Sequence, residues 1–96
     1  MNYEQLNDKF GDYLDKSISM LKEVGLIDLL PDNVNCFLYE KYRGRTIAQA
    51  VNYIGTDRWE MRFCTKHFEV WVKEGNELEI LDTMLHEFCH MMPGLS

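Results

Sequence analysis

Between Asn76 and Pro93 the chain leaves very little polar circumference on what reads as a single helix. At about 100° per residue, Leu78, Leu81, Leu85, Phe88 and Met92 fall on one stripe, with Ile80, Met84 and Met91 widening it on one side and Cys89 on the other. A helix apolar over that much of its surface has to be covered from several directions, so residues 77–91 are expected at the centre of a small core. Glu79, Asp82, Thr83, His86, Glu87 and His90 fill the remaining wedge. Asn76 followed by Glu79 has the form of a capping box at the start of the helix, and Pro93-Gly94 stops it at the other end.

The wedge contains His86-Glu87-Phe88-Cys89-His90, an H-E-x-x-H run. Histidines four apart lie one helical turn from each other and can turn their imidazoles to one ion. The glutamate beside the first is placed to take a proton from water activated at the metal, and this is the working core of zinc metallopeptidases. The pattern therefore marks His86 and His90 as metal ligands, Glu87 as the catalytic base and Zn²⁺ as the cofactor. Glu79 and Asp82, on the same wedge, could accept the second ring N–H of a ligand histidine and fix its tautomer. The plain alternative is a solvated helix face that happens to carry two of the chain's 3 histidines.

Upstream, Leu6, Phe10, Tyr13, Leu14, Ser17, Ile18, Leu21 and Val24 recur at helical spacing before Gly25, which predicts a long amphipathic helix over 3–24. Residues 34–42 read as a strand after Pro31-Asp32-Asn33, and Tyr42-Arg43-Gly44-Arg45 as a turn. Residues 46–54 and 58–64 read as a hairpin around Gly55-Thr56-Asp57, with Trp59, Met61 and Phe63 alternating against Glu60 and Arg62. Residues 68–73 fit either a short strand or a helical connector. The expected architecture is α+β: a long N-terminal helix, a small, mostly antiparallel sheet of three to four strands, and the H-E-x-x-H helix, with both helices on one sheet face. If strand 58–64 is an edge beside the cleft, an extended peptide could pair with it; equally, Glu60 and Arg62 could serve only to protect that edge.

The segment Leu81-Asp82-Thr83-Met84-Leu85-His86-Glu87-Phe88-Cys89-His90-Met91-Met92-Pro93-Gly94 resembles the active-site helix of the SprT-like family of zincin metallopeptidases, which typically reads as a D-T-L-L-H-E-x-C-H stretch. Asp82-Thr83 before the motif and Cys89 within it carry the resemblance beyond H-E-x-x-H alone. It implies a zincin-like domain with His86 and His90 as zinc ligands and Glu87 as general base. The substrates it implies are proteins or peptides, including the DNA-associated proteins on which some relatives act. In that family a third histidine follows the helix after a short loop. The sequence in hand stops at Ser96, so the expectation is a domain that is C-terminally incomplete and a 96-residue form that binds zinc weakly or not at all and has little peptidase activity.

At 96 residues there is room for one small domain, and an apolar content of 46% is that of a folded chain. A net charge of −6 argues against binding nucleic acid through bulk charge, and the local cluster Lys41, Arg43 and Arg45 reads as a solvated turn. Cys36, Cys64 and Cys89 form no C-x-x-C pair, and Cys64 with His67 has no matching second half-site, so neither a disulfide framework nor a zinc ribbon is written here. Without a signal peptide or a long apolar run, a cytoplasmic protein with no membrane association is expected. The rival to a metallopeptidase is a non-catalytic binding or adaptor module on the same scaffold; a DNA-associated protein without proteolysis is a third, weakened by the acidic balance.

Overall fold

The computed structural model describes residues 1–40 and 44–94. Helix α1 spans Tyr3–Glu23 and begins with a capping box at Asn2 and Gln5. The Asn2 side chain accepts from the Gln5 amide at 2.8 Å and the Gln5 side chain accepts from the Asn2 amide at 3.1 Å. It ends in a Schellman motif on Gly25 (φ 77°), whose N–H donates to Lys22 while Leu26 N–H reaches back to the Leu21 carbonyl at 2.9 Å. Leu6, Phe10, Ser17 and Leu21 form its buried stripe, and the Ser17 hydroxyl is satisfied by the Leu14 carbonyl at 2.8 Å.

A single 3-10 turn, Ile27–Leu29, leads into strand β1, Asn33–Tyr39; strands β2, Ala48–Asn52, and β3, Arg58–Cys64, follow as the expected hairpin. The sheet order is β1-β3-β2. β1 pairs with β3 in parallel, from Asn33 opposite Arg58 to Tyr39 opposite Cys64, and β2 pairs with β3 antiparallel, from Ala48 opposite Phe63 to Asn52 opposite Trp59. The sheet is therefore mixed, which corrects the expectation of a mostly antiparallel one. The condition under which 58–64 could receive a peptide, an edge position, is not met, because β3 is the central strand. β3 carries Met61 and Phe63, both fully buried, and that strand gains most by lying between two neighbours. The edges are β1 and β2. Of the expected turn after β1, Lys41, Tyr42 and Arg43 lie outside the described residues.

Residues left ambiguous by sequence form helix α2, Thr65–Lys73, directly after β3, and helix α3, Glu77–His90, closes the fold. α2 ends in a second Schellman motif: Gly75 (φ 67°) donates to Val72, and Asn76 N–H donates to the Trp71 carbonyl at 2.8 Å. Asn76 is thus held by the preceding helix while serving as N-cap of α3, with ψ at 61° rather than extended, and its side chain makes no cap hydrogen bond. The capping box expected at Asn76 and Glu79 does not form for that reason.

The core lies between one face of the sheet and the helices. Phe10, Phe63 and Phe68 meet edge to face, with centroids 5.4 to 6.1 Å apart, and Phe88, Met84 and Ile80 of α3 complete the same cluster. Lys16 of α1 and Glu77 of α3 form an exposed ion pair between the two long helices. On the other sheet face Phe37 and Tyr39 meet edge to face, Arg62 lies over the Tyr39 ring, and Glu60 accepts from Tyr53 at 2.7 Å and pairs with Arg62 at 2.8 Å. Cys36, Cys64 and Cys89 are all free, and burial pushes the Cys36 thiol up to about 11, which leaves it unreactive at neutral pH. Among the described residues no helix is long and apolar enough to cross a membrane.

Phe68 touches Phe10, Tyr13 and Phe63 and so joins α1, β3 and α2. Phe68→Ala is expected to cost about 3–5 kcal/mol in urea denaturation, most of what a domain of this size has. Ile54→Ala, at a side chain 99% exposed on the hairpin, is expected to stay within about 0.5 kcal/mol of the wild type.

Candidate metal centre

α3 is packed as its apolar surface requires, with Ile80, Leu81, Met84 and Phe88 buried. Two members depart from the helical-wheel reading. Leu78, placed on the stripe, is 81% exposed because it sits in the first turn before α3 runs under the sheet. Glu87, placed on the polar wedge, is only 6% exposed. The reason lies in β2: its inward positions are Ala48 and Ala50, opposite Phe63 and Met61, and side chains this small let α3 approach the strand closely. Glu87 then lies under the edge of the sheet, while His86 and His90 stay exposed at the mouth.

The two imidazoles face each other across one turn. Their Nε2 atoms are 3.0 Å apart, with ring centroids 4.6 Å apart and planes nearly perpendicular. At that distance one ring donates and the other accepts, so the pair cannot carry a proton on both facing nitrogens. A tetrahedral zinc with Zn–N bonds of about 2.0–2.1 Å holds two imidazole nitrogens about 3.3 Å apart, so the pair needs only a few tenths of an ångström to chelate. One carboxylate oxygen of Glu87 joins them in a cluster whose ligand atoms all lie within 4.8 Å of one another. This donor set of two imidazoles and a carboxylate suits a divalent transition ion.

Burial holds the Glu87 carboxyl above the ordinary glutamate range, against a smaller downward pull from His86 and His90. No hydrogen bond to Glu87 occurs among the described residues, which leaves its charged form poorly solvated. A carboxylate in that state is a stronger base than one in water.

Two recesses flank the cluster along β2. One, of about 330 Å³, is lined by Arg45, Thr46, Ile47 and Ala48 on the strand side and by Asp82, Thr83, His86 and Glu87 on the helix side. The other, of about 490 Å³, is lined by Ala48, Gln49, Ala50, Val51, Trp59, Glu87 and His90. Ala48 and Glu87 belong to both, so the cluster sits between them, beside the free edge of β2.

The structure thus brings together His86, Glu87 and His90, the three residues the motif selects. It does not bring in His67, which lies on α2 against the Trp71 ring with its Nδ1 buried and without a hydrogen-bond partner. Nor do Glu79 or Asp82 accept a ring N–H of either site histidine among the described residues; Asp82 lines the first recess, and Glu79 is exposed. Cys64 is the N-cap of α2 and is not in the cluster. Of the basic run, Lys41 and Arg43 are outside the described residues, whereas Arg45 proves to be a wall of the cleft. Its place beside the site had no sequence signal, because only the β2 pairing puts it there. Comparison with family models, with curated proteins and with solved structures gave no match.

Because the folded-state carboxyl of Glu87 binds its proton more tightly than the unfolded one, native stability should fall as pH rises from the ordinary glutamate range through the raised value. Glu87→Gln removes that loss. In metal-free protein the variant should therefore be more stable than the wild type at neutral pH, by about 1 kcal/mol, and the difference should vanish below the ordinary carboxylate range. Thermal melts of both proteins across pH check this.

Proposed function

We propose that this chain is a zinc-dependent metallopeptidase domain of the SprT-like type, with a zincin-like fold, that hydrolyses peptide bonds in protein substrates. The observation that carries the reading is the pairing of two exposed imidazole nitrogens, 3.0 Å apart, with a buried carboxylate beneath a free strand edge. His86 and His90 would hold the ion, their stems fixed by a helix buried on its other sides. Zinc, when bound, supplies Lewis acidity that polarises a carbonyl and acidifies water. Glu87 is the base: it takes the proton of the attacking water, a transfer its desolvation favours, and returns it to the leaving amine.

The edge of β2 would place the substrate. Its backbone groups on the side away from β3 are available to an extended peptide, which could add to the sheet as a fourth strand and lay its scissile carbonyl over the cluster. In this reading β2 takes the role that sequence alone left open for 58–64. Protein substrates associated with DNA remain within the proposal through the family resemblance, with the acidic chain itself making little contact with the nucleic acid. Free thiols at all three cysteines suit a reducing compartment such as the cytoplasm.

A second reading, a non-catalytic binding module on this scaffold, is favoured by one observation: a catalytic zinc takes three protein ligands besides water, and among the described residues the cluster offers two imidazoles and the carboxylate assigned as base. The two readings separate by experiment. The 96-residue chain is expected to take up zinc weakly, and His86→Ala or His90→Ala to abolish that uptake, whereas His67→Ala leaves it unchanged. Glu87→Gln should keep the metal and lose at least 100-fold in peptide hydrolysis. Equal zinc content in wild type, His86→Ala and His90→Ala, measured by atomic absorption after dialysis against dilute zinc, would remove the ligand assignment. Zinc uptake without hydrolysis of any protein substrate would favour the binding module.

A further inference from the structure

The two recesses on either side of the cluster differ in chemistry. The one toward Trp59 is walled by Ala48, Gln49, Ala50 and Val51 together with Glu87 and His90, polar and apolar in about equal part, and holds no Lys or Arg. The other ends at Arg45, an exposed guanidinium. Most of the ion pairs in this acidic chain join its cations to a nearby carboxylate, as Lys16 to Glu77, Arg62 to Glu60 and Lys73 to Glu69. Among the described residues Arg45 has no ion-pair partner, although Asp82 lines the wall across from it. Its donors are therefore open to a ligand lying in the cleft, and their fixed fork matches the two oxygens of a carboxylate.

Arg45 lies three residues before the start of β2, so a peptide laid along that edge over His86 and Glu87 must run past it in one direction and past Trp59 in the other. We propose that the Arg45 recess is a specificity subsite for a carboxylate of the bound peptide, either an Asp or Glu side chain or a terminal carboxylate. The inference rests on the reading of this cleft as a peptide site, and it assigns a substrate class to it: peptides that carry a carboxylate on the Arg45 side. The net charge of −6 works against acidic ligands at long range, so the preference has to come from the direct guanidinium contact and not from the field of the whole protein.

The test uses the full 96-residue chain in the Glu87→Gln background, so that binding is read without cleavage. Three dye-labelled octapeptides of alternating Val and Thr serve as probes: one with a central Glu and a C-terminal amide, one with Gln in its place, and the Gln peptide with a free C-terminal carboxylate. Fluorescence anisotropy should give at least fivefold tighter binding for one or both carboxylate peptides than for the Gln amide, and which of the two shows it identifies the source of the carboxylate. Arg45→Gln should bring that ratio within twofold, Arg45→Lys should retain part of it, and Arg45→Glu should invert it. Arg58→Gln, at an exposed cation lying against the Tyr53 ring, should leave it unchanged. Equal affinity for all three peptides, a preference that survives Arg45→Gln, or no binding of any peptide would overturn the proposal. Hydrolysis of the Gln amide by the otherwise unaltered chain is followed separately: an Arg45-dependent preference without hydrolysis would overturn the peptidase reading and leave the subsite standing.

Discussion

The burial of α3 is the constraint on which the rest of this molecule depends. Two histidines one turn apart can serve one ion only if the helix beneath them does not move, and α3 is held by Ile80, Met84 and Phe88 in the same cluster as Phe10, Phe63 and Phe68. α1 supplies one wall of that core and the inward face of β3 another. The sheet adds the third requirement. Alanines at 48 and 50 bring the strand down onto the helix, so that a carboxylate that would otherwise be a surface group is taken out of water. Packing, strand order and the basicity of Glu87 are thus one arrangement seen at three scales.

Electrostatics makes the same point from the other side. A folded domain gains nothing from a buried carboxylate without a hydrogen-bond partner among the described residues, and α3 would pack more favourably with an amide or an apolar group at 87. A buried carboxylate next to two facing imidazoles is the kind of cluster found at functional sites. The outer face of the sheet shows the contrast: Glu60, held below the ordinary carboxylate range chiefly by the Tyr53 hydroxyl and also by Arg62, is satisfied and serves structure only.

Local signals in the sequence carried far. The helical spacing from Leu6 to Leu21, the Gly25 stop, the alternation through Trp59, Met61 and Phe63, and the His86-Glu87-His90 constellation all act within one element, and each is found where its pattern puts it. Relations between elements were not legible. Nothing in the alternation of 58–64 says whether its two neighbours run parallel or antiparallel, so the mixed sheet and the central place of β3 could not be read. Asn76 failed as a capping box because its backbone already closes α2 through Trp71, a helix too short to show a clear period. The burial of Glu87 and the position of Arg45 depend on where β2 lies, and a helical wheel holds no information about a strand so distant in sequence. The H-E-x-x-H spacing selected the residues of the candidate site, while their geometry came from the fold.

With only three histidines in the chain, zinc titration followed by ¹⁵N NMR of the imidazole nitrogens tests the central claim most directly. The account predicts that the Nε2 resonances of His86 and His90 shift together to metal-bound values along a single binding curve, while those of His67, lodged against Trp71, do not move. Zinc that perturbs His67 alone, or that leaves the His86 and His90 resonances where they were, would contradict it.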